Sequence, residues 1–266
     1  AAASNYKGIA CHEQTGWGTT FSSPICPGKE SAMEFCKNVY SEIFQLFPYK
    51  YVHLGADEVE KTNWKKCRDC QRRIKEKGLK NEEELQAWFV KDMEKFFNAN
   101  GKELFGWDEI LEGDVSKTAI VMSWRGKTGG IKGAKRGNEV VMVPNDYAYF
   151  DYYQSKDVDK EPFSIGGFVD VAKVYSLDPT EGLTAEEGKK IIGVQANLWA
   201  EYITTFSHAQ YMLLPRMAAL AEVAWTPQET REYSNFLNRA KLLTQRYEAL
   251  GYNFAKHILQ ESKSNE

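Results

Sequence analysis

Two adjacent carboxylates follow the first apolar run of the chain that has the character of a buried strand. Asp57 and Glu58 come directly after residues 51–54, and Gly55 closes that run. A carboxyl group can protonate the leaving oxygen of a glycosidic bond, and hydrolysis of such bonds normally uses two of them on opposite sides. Neighbouring side chains beyond a strand diverge, so one could serve the bond while the other serves a substituent of the substrate. The charge of Asp57 and burial against tryptophans would keep Glu58 protonated, as a general acid requires.

Aromatic residues, acidic residues or both also follow each of the remaining predicted strands. The carboxyl ends of the strands in a (β/α) barrel converge on one face, where such folds place their active sites. Indole rings pack against sugar rings, and carboxylates accept hydrogen bonds from pairs of hydroxyl groups. The pattern therefore predicts a carbohydrate pocket formed by the groups at these strand ends: Trp107, Glu109, Trp124, Tyr149, Asp151, Trp199 and Glu201.

Short apolar runs alternate with helical periodicity along most of the chain. The runs lack in/out alternation, which is typical of strands covered on both faces, and the alternation with helices predicts a parallel α/β sheet. Residues 144–183 have weak periodicity, which is typical of a long functional loop or of small helices. Strands are predicted at 51–54, 103–107, 119–124, 140–143 and 191–196, and helices at 29–46, 82–99, 129–136, 184–190, 207–224 and 229–258.

Composition and charge exclude several classes of partner. The 266 residues carry a formal net charge of only -3, with no basic stripe. No apolar run is long enough to cross a bilayer. We therefore expect neither a nucleic-acid nor a membrane partner. The length fits one large α/β domain or two small ones.

The cysteines form no obvious disulfide framework. There are five of them, and an odd number argues against a complete set of disulfides. Cys67 and Cys70 are spaced as in half of a zinc ribbon, a redox pair or a local disulfide. Because no second such pair exists to complete a metal site, the sequence favours a structural or incidental pair and predicts no metal.

Several motifs together resemble glycoside hydrolase family 20. Residues 53–59, His-Leu-Gly-Ala-Asp-Glu-Val, resemble the family's H-x-G-G-D-E signature with Ala56 in place of the second glycine. The segments Gly-Trp-Asp-Glu, Ser-Trp, Tyr-Phe-Asp and Leu-Trp-Ala-Glu follow in the family's order, and the resemblance covers about residues 1–225. It implies one catalytic domain over residues 1–266, a TIM-type (β/α)8 barrel of which this chain holds the C-terminal five or so β/α units. The first three strands are then expected before residue 1.

The resemblance also implies an activity and roles for individual residues. The reaction is removal of terminal β-linked N-acetylhexosamine with retention, in which the substrate's own 2-acetamido group is the nucleophile and forms an oxazolinium intermediate. Glu58 would be the acid and base, Asp57 would orient the acetamido group, and Tyr149 would hydrogen-bond its oxygen. The resemblance implies no cofactor. It assigns sugar binding to the remaining residues: Trp107, Trp124, Asp151, Trp199 and Glu201.

Three points stay open on the sequence alone. The chain could be a non-catalytic carbohydrate-binding fragment, or a barrel glycosidase that pairs Asp57 with Glu109 or Glu201. Family resemblance implies that glycans are bound outside the cytoplasm, in the periplasm, the lysosome or the medium. The methyl group of Ala56 is tolerable only if that residue is not left-handed.

Overall fold

The computed structural model describes residues 8–11 and 24–260. Its described residues form two compact units, one ending at Met122 and including Arg136–Glu139, the other comprising Ser123–Lys135 and the chain from Val140 onward. Both units alternate strands with helices. Parallel pairing within each unit confirms that part of the prediction.

The first unit contains three parallel strands and the helices between them. Tyr51 pairs with Glu103, and Phe105 pairs with Ile120. Two helices between residues 62 and 77 were not predicted from the sequence. The elements are α1 (Glu30–Leu46), β1 (Tyr51–His53), α2 (Thr62–Lys66), α3 (Arg68–Lys77), α4 (Glu82–Ala99), β2 (Glu103–Trp107), a 3-10 turn (Asp108–Glu112) and β3 (Ile120–Ser123).

Helix α4 anchors the first unit. Its N-terminus is capped by the Asn81 side chain, which accepts a 3.0 Å hydrogen bond from the backbone N–H of Glu84. Phe97 on its buried face is fully inaccessible, and the Phe97 ring lies 4.8 Å from that of Tyr40 and 5.2 Å from that of Phe44. These aromatic contacts hold α1 against α4.

The second unit contains two strands and shorter helices. Val140 pairs with Ile191 in parallel. The stretch 144–183, expected to be a loop or small helices, contains short helices. The elements are α5 (Thr128–Arg136), β4 (Val140–Met142), α6 (Asn145–Ala148), a 3-10 turn (Val158–Lys160), α7 (Val171–Tyr175), α8 (Ala185–Gly188), β5 (Ile191–Val194), α9 (Phe206–Leu213), α10 (Arg216–Trp225), a 3-10 turn (Gln228–Thr230), α11 (Tyr233–Ala249) and a last 3-10 turn (Lys256–Leu259).

Two predicted helices of the second unit differ from the structure. The apolar stretch 207–224 forms two helices rather than one, because Pro215 lacks the N–H that a continuous helix needs. The predicted helix 229–258 is regular only from Tyr233 to Ala249, and Gly251 follows with a φ of +69°. None of the helices in the described ranges is long and apolar enough to cross a membrane.

Candidate active site

The loop after β1 holds Asp57 and Glu58 in an unusual backbone conformation. Gly55, Ala56 and Glu58 have positive φ angles of 85°, 74° and 46°. The Trp107 N–H donates to the Gly55 carbonyl at 3.0 Å, which ties the loop to the end of β2. Both carboxylate side chains are exposed to solvent. Successive left-handed residues make the backbone turn sharply, which separates the directions of neighbouring side chains.

The exposure of Glu58 corrects one expectation. The sequence suggested that tryptophans would bury this side chain, whereas the structure leaves it exposed. The backbone just before the dipeptide is nevertheless held, because the Ala56 carbonyl accepts a 2.9 Å hydrogen bond from the buried Gln86 side chain of α4. This bond fixes the main chain where the dipeptide begins, and the two carboxylates stay exposed.

Ala56 lies in the left-handed region of backbone conformation, contrary to expectation. The substitution for glycine was expected to be tolerable only outside the left-handed region, yet its φ is +74°. A left-handed residue with a Cβ costs roughly 1–2 kcal/mol. Its neighbours hold it there through the bonds to Gly55 and from Gln86. The chain thus stores backbone strain beside its candidate catalytic residues.

Replacing Ala56 with Gly is expected to raise the free energy of unfolding by about 0.5–1 kcal/mol, because glycine adopts this conformation without the steric cost. Urea unfolding followed by circular dichroism measures the change. Ala221→Gly, at an exposed position inside α10, is the matched control and is expected to lower stability by about 1 kcal/mol. Destabilisation of both variants to the same degree would contradict the strain at Ala56.

The end of β2 supplies the aromatic part of the first unit's site. Trp107 is buried, and its ring meets the His53 ring edge-on with centroids 5.0 Å apart. His53 Nδ1 accepts a 2.9 Å hydrogen bond from the Gly55 N–H. Burial lowers the pKa of His53, and the charge of Asp57 opposes that effect. A neutral His53 therefore orders the loop, in agreement with a structural role.

Two further carboxylates follow Trp107 in the 3-10 turn. Asp108 and Glu109 are both buried, with exposed fractions of 3% and 9%. Glu109 was a candidate partner of Asp57 for a separated pair of carboxylates. Its burial contrasts with the exposure of Glu58 and favours a role in supporting the turn.

The second unit brings together an aromatic cluster. The Tyr149 ring lies 6.3 Å from Trp124 in a stacked arrangement and 6.5 Å from Trp199. Backbone pairing of Tyr149 with Asn197 fixes the two segments side by side beyond β4 and β5. Tyr149 is 8% exposed, whereas Trp199 is 43% exposed and can offer a ring face to a ligand.

Burial changes the pKa values of the polar groups in this cluster. It raises the pKa of Tyr149 to about 12, against hydrogen bonds with Trp199 and Asn197 that lower it. Burial, with the charge of Glu201, raises the pKa of Asp151 to about 6. Asp151 is 4% exposed, and its Oδ1 has no hydrogen-bond partner among the described residues. Tyr149 thus stays a hydrogen-bond donor at neutral pH, and Asp151 keeps one buried carboxylate oxygen without a partner among the described residues.

Arg216 is a positioning residue that sequence reasoning missed. Its side chain is fully buried at the start of α10, and Nη1 donates to the carbonyls of Tyr152 and Val169 at 3.0 and 2.9 Å. Nη2 donates to the Phe150 carbonyl at 2.5 Å, directly beside Asp151. Burial lowers the pKa of Arg216 to about 9, and nearby Asp151 and Glu161 oppose this. An arginine within the apolar run Leu-Leu-Pro-Arg-Met-Ala-Ala-Leu was the available signal.

The cysteines are arranged differently from the sequence-based interpretation. Cys67 and Cys70 have two further partners that sequence spacing did not identify, because chain folding brings Cys11 and Cys26 to them from far away. All four are buried free thiols. Cys67 and Cys70 therefore have beside them the two further thiols that their spacing alone did not reveal.

The predicted site residues thus lie in two groups. Asp57, Glu58 and Trp107 lie at the strand ends of the first unit, and the second unit gathers the others: Trp124, Tyr149, Asp151, Trp199 and Glu201. Parallel strands that end in acids and aromatic rings define an α/β protein whose strand ends carry the residue types of a carbohydrate site.

Comparisons with known proteins agree with this class. Residues 2–228 match the model of the glycosyl hydrolase family 20 catalytic domain. The β-hexosaminidase of Porphyromonas gingivalis is 40% identical over 261 residues, 96% of this chain and 33% of that protein. The β-hexosaminidase of Vibrio furnissii is 31% identical over 202 residues, 75% of this chain and 33% of that protein. The chain belongs to glycosyl hydrolase family 20.

A solved structure supports the fold. The family 20 exo-β-N-acetylglucosaminidase of Vibrio harveyi, in complex with N-acetylglucosamine, has a TM-score of 0.79 and 33% identity. The match covers 87% of this chain and 37% of that one. The predicted α/β-barrel class is therefore confirmed, and this chain spans about a third of the length of the curated relatives named above.

Proposed function

We propose that this protein hydrolyses terminal, non-reducing β-linked N-acetylhexosamine residues, GlcNAc or GalNAc, from glycans. The observation that carries the proposal is the exposed Asp57–Glu58 dipeptide, fixed through its backbone at the end of β1. It lies in a chain of family 20 whose relatives are named β-hexosaminidases. On the same family resemblance we propose that it works outside the cytoplasm.

The closeness of the two carboxylates favours participation of the substrate. A retaining glycosidase with a protein nucleophile separates its carboxyl groups by about 5–5.5 Å across the bond, and an inverting one by more. Adjacent residues cannot flank the anomeric carbon in that way. A 2-acetamido group can supply the missing nucleophile, so that one carboxylate acts on the leaving oxygen and the other on the acetamido nitrogen.

The reaction then has two steps. Glu58 donates a proton to the glycosidic oxygen while the acetamido oxygen attacks C1, so the C1–O bond breaks and a cyclic oxazolinium forms. Asp57 orients the acetamido N–H and stabilises the positive charge that develops on it. Glu58, now a carboxylate, takes a proton from water as the water attacks C1 and opens the ring. Two inversions at C1 leave the β configuration retained.

The second unit's residues are assigned to sugar binding. Tyr149 donates a hydrogen bond to the acetamido oxygen, and its raised pKa keeps that proton in place. On the same resemblance, Trp107, Trp124 and Trp199 are assigned to contacts with the sugar and its N-acetyl group. On the family resemblance, Asp151 and Glu201 accept hydrogen bonds from the outer hydroxyls of the sugar.

Substrate comparison tests the proposal. We expect the chain to cleave a 4-nitrophenyl β-N-acetylglucosaminide at least about 10²-fold faster than the matching glucoside, since only the former carries the nucleophile. A thiazoline mimic of the oxazolinium should inhibit competitively, and nuclear magnetic resonance should detect the β-anomer first.

Two results would contradict it. Equal turnover of the glucoside would favour a separated pair such as Asp57 with Glu109 or Glu201. Tight thiazoline binding without any turnover would favour a non-catalytic carbohydrate-binding chain.

A further inference from the structure

Four cysteine sulfurs converge in the first unit, away from the groups assigned to the reaction. The Sγ atoms of Cys11, Cys26, Cys67 and Cys70 all lie within 4.8 Å of one another. Cys26 Sγ is 3.4 Å from Cys70 and 3.6 Å from Cys67, and Cys70 Sγ is 3.8 Å from Cys11. No single pairing is preferred, because Cys26 and Cys70 each contact two other sulfurs.

These separations match the edges of a metal tetrahedron. Zinc–sulfur bonds of about 2.3 Å in tetrahedral geometry place the sulfurs roughly 3.8 Å apart. A disulfide would bring two sulfurs to about 2.05 Å. Thiolate sets of this kind select zinc or iron rather than the oxygen-preferring cations. We propose that Cys11, Cys26, Cys67 and Cys70 bind one structural Zn²⁺ ion.

The main chain presents the four ligands without help from a metal. The Cys26 N–H donates to the Ile9 carbonyl at 2.8 Å, and Ala10 pairs with Ile25 in an antiparallel bridge. These bonds hold the segment of Cys11 against the segment of Cys26. Backbone pairing therefore places Cys11 and Cys26 next to each other.

The other two ligands come from the start of α3. Cys67 is the residue before its first turn and Cys70 lies inside that turn. Gly28 allows the two ligand segments to approach, because a Cβ there would lie 2.2 Å from the backbone carbon of Asp69. Such close approach is a reason for glycine at this position.

The surroundings suit a closed, negatively charged centre. All four cysteines are buried in one apolar cluster with Trp64, Ile74 and Leu85, which shield the sulfurs from water. A zinc ion with four thiolates carries a net charge of -2. The guanidinium groups of Arg72 and Arg73 donate to the Gly28 carbonyl at 3.2 and 3.4 Å, next to the cluster. Four protein ligands leave no open position, so the ion stabilises structure and takes no part in hydrolysis.

The proposed ion would secure the chain that follows the Asp57–Glu58 loop. Val59 packs against the cysteine cluster, and α2 begins at Thr62. One ion would join residues 9–11, residues 24–28 and helices α2 and α3 into a single block.

Metal analysis of the purified chain tests the site. Protein from zinc-supplemented culture, handled without oxygen, is expected to hold one zinc ion per chain by inductively coupled plasma mass spectrometry. Cys67→Ser and Cys70→Ser are expected to lose that zinc, while Cys36→Ser, outside the cluster, is expected to retain it. Retention of a full equivalent of zinc by both cluster variants would overturn the assignment.

A second measurement needs no variant and therefore does not depend on how the variants fold. Cobalt(II) exchanged into the wild-type chain should give the intense visible bands of a tetrahedral tetrathiolate site, and a strong chelator should remove them and lower the melting temperature. Stoichiometric iron in place of zinc would overturn the identity of the metal. A chain without metal whose intact mass shows two disulfides would overturn the site altogether.

Discussion

Replacing Glu58 with Gln is expected to lower kcat for an N-acetylglucosaminide with a poor leaving group by about 10²–10⁴-fold. Glutamine can neither give up a proton to the glycosidic oxygen nor accept one from water. The side chain is exposed, so the exchange removes no packing and the fold should be kept. Steady-state kinetics with a chitobiose substrate measures the loss, and the melting temperature should stay within experimental error.

The leaving group separates the acid role from a general loss of charge. An activated aryl leaving group needs little protonation, so the defect in kcat/KM should be much smaller for a dinitrophenyl substrate than for chitobiose. Glu76→Gln removes an exposed carboxylate from α3 and should leave both rates unchanged. Equal kinetics of Glu58→Gln and the wild type with chitobiose would remove Glu58 from the reaction.

The sequence predicted the strands well because each is a short apolar run with a local stop signal. Strand β2 is closed by the turn that begins at Asp108, and β1 ends before Gly55. The helix 207–224 was predicted as one because its apolar periodicity continues across Pro215. Helices α2 and α3 were missed because their polar sequence, rich in lysine and arginine, has little apolar periodicity.

The candidate site could be predicted only where its residues lie at strand ends. Asp57 and Glu58 could be recognised as candidates because they follow β1. The left-handed backbone of Ala56 could not be predicted, because alanine does not favour that conformation. Cys11 and Cys26 lie far along the chain from Cys67, so their meeting depends on the fold. Long-range contacts of this kind have no local signal in one sequence.

Arg216 shows the same limit most clearly, and its removal should cost the most stability. Its guanidinium satisfies the carbonyls of Phe150, Tyr152 and Val169 in addition to that of Met212. Leaving a buried polar group without its partner costs about 1–3 kcal/mol for each group. Relaxation of the neighbouring chain and entry of water reduce the total cost of the unsatisfied carbonyl groups. Arg216→Met, which keeps the volume, is therefore expected to destabilise the protein by about 3–5 kcal/mol.

Hydrogen exchange can show where in the chain Arg216→Met loses stability, as well as how much. The amides of residues 150–169 should lose protection first in Arg216→Met, because the guanidinium joins both ends of that segment to α10. Arg239→Met is the control: its ion pair with Glu222 has a side chain 55% exposed, so its loss should cost less than about 1 kcal/mol. If the two variants unfolded at the same urea concentration, Arg216 would not hold the Asp151 segment in place. The expected order would instead make the arginine the support of the segment that carries Asp151, since Asp151 follows Phe150 directly in the sequence.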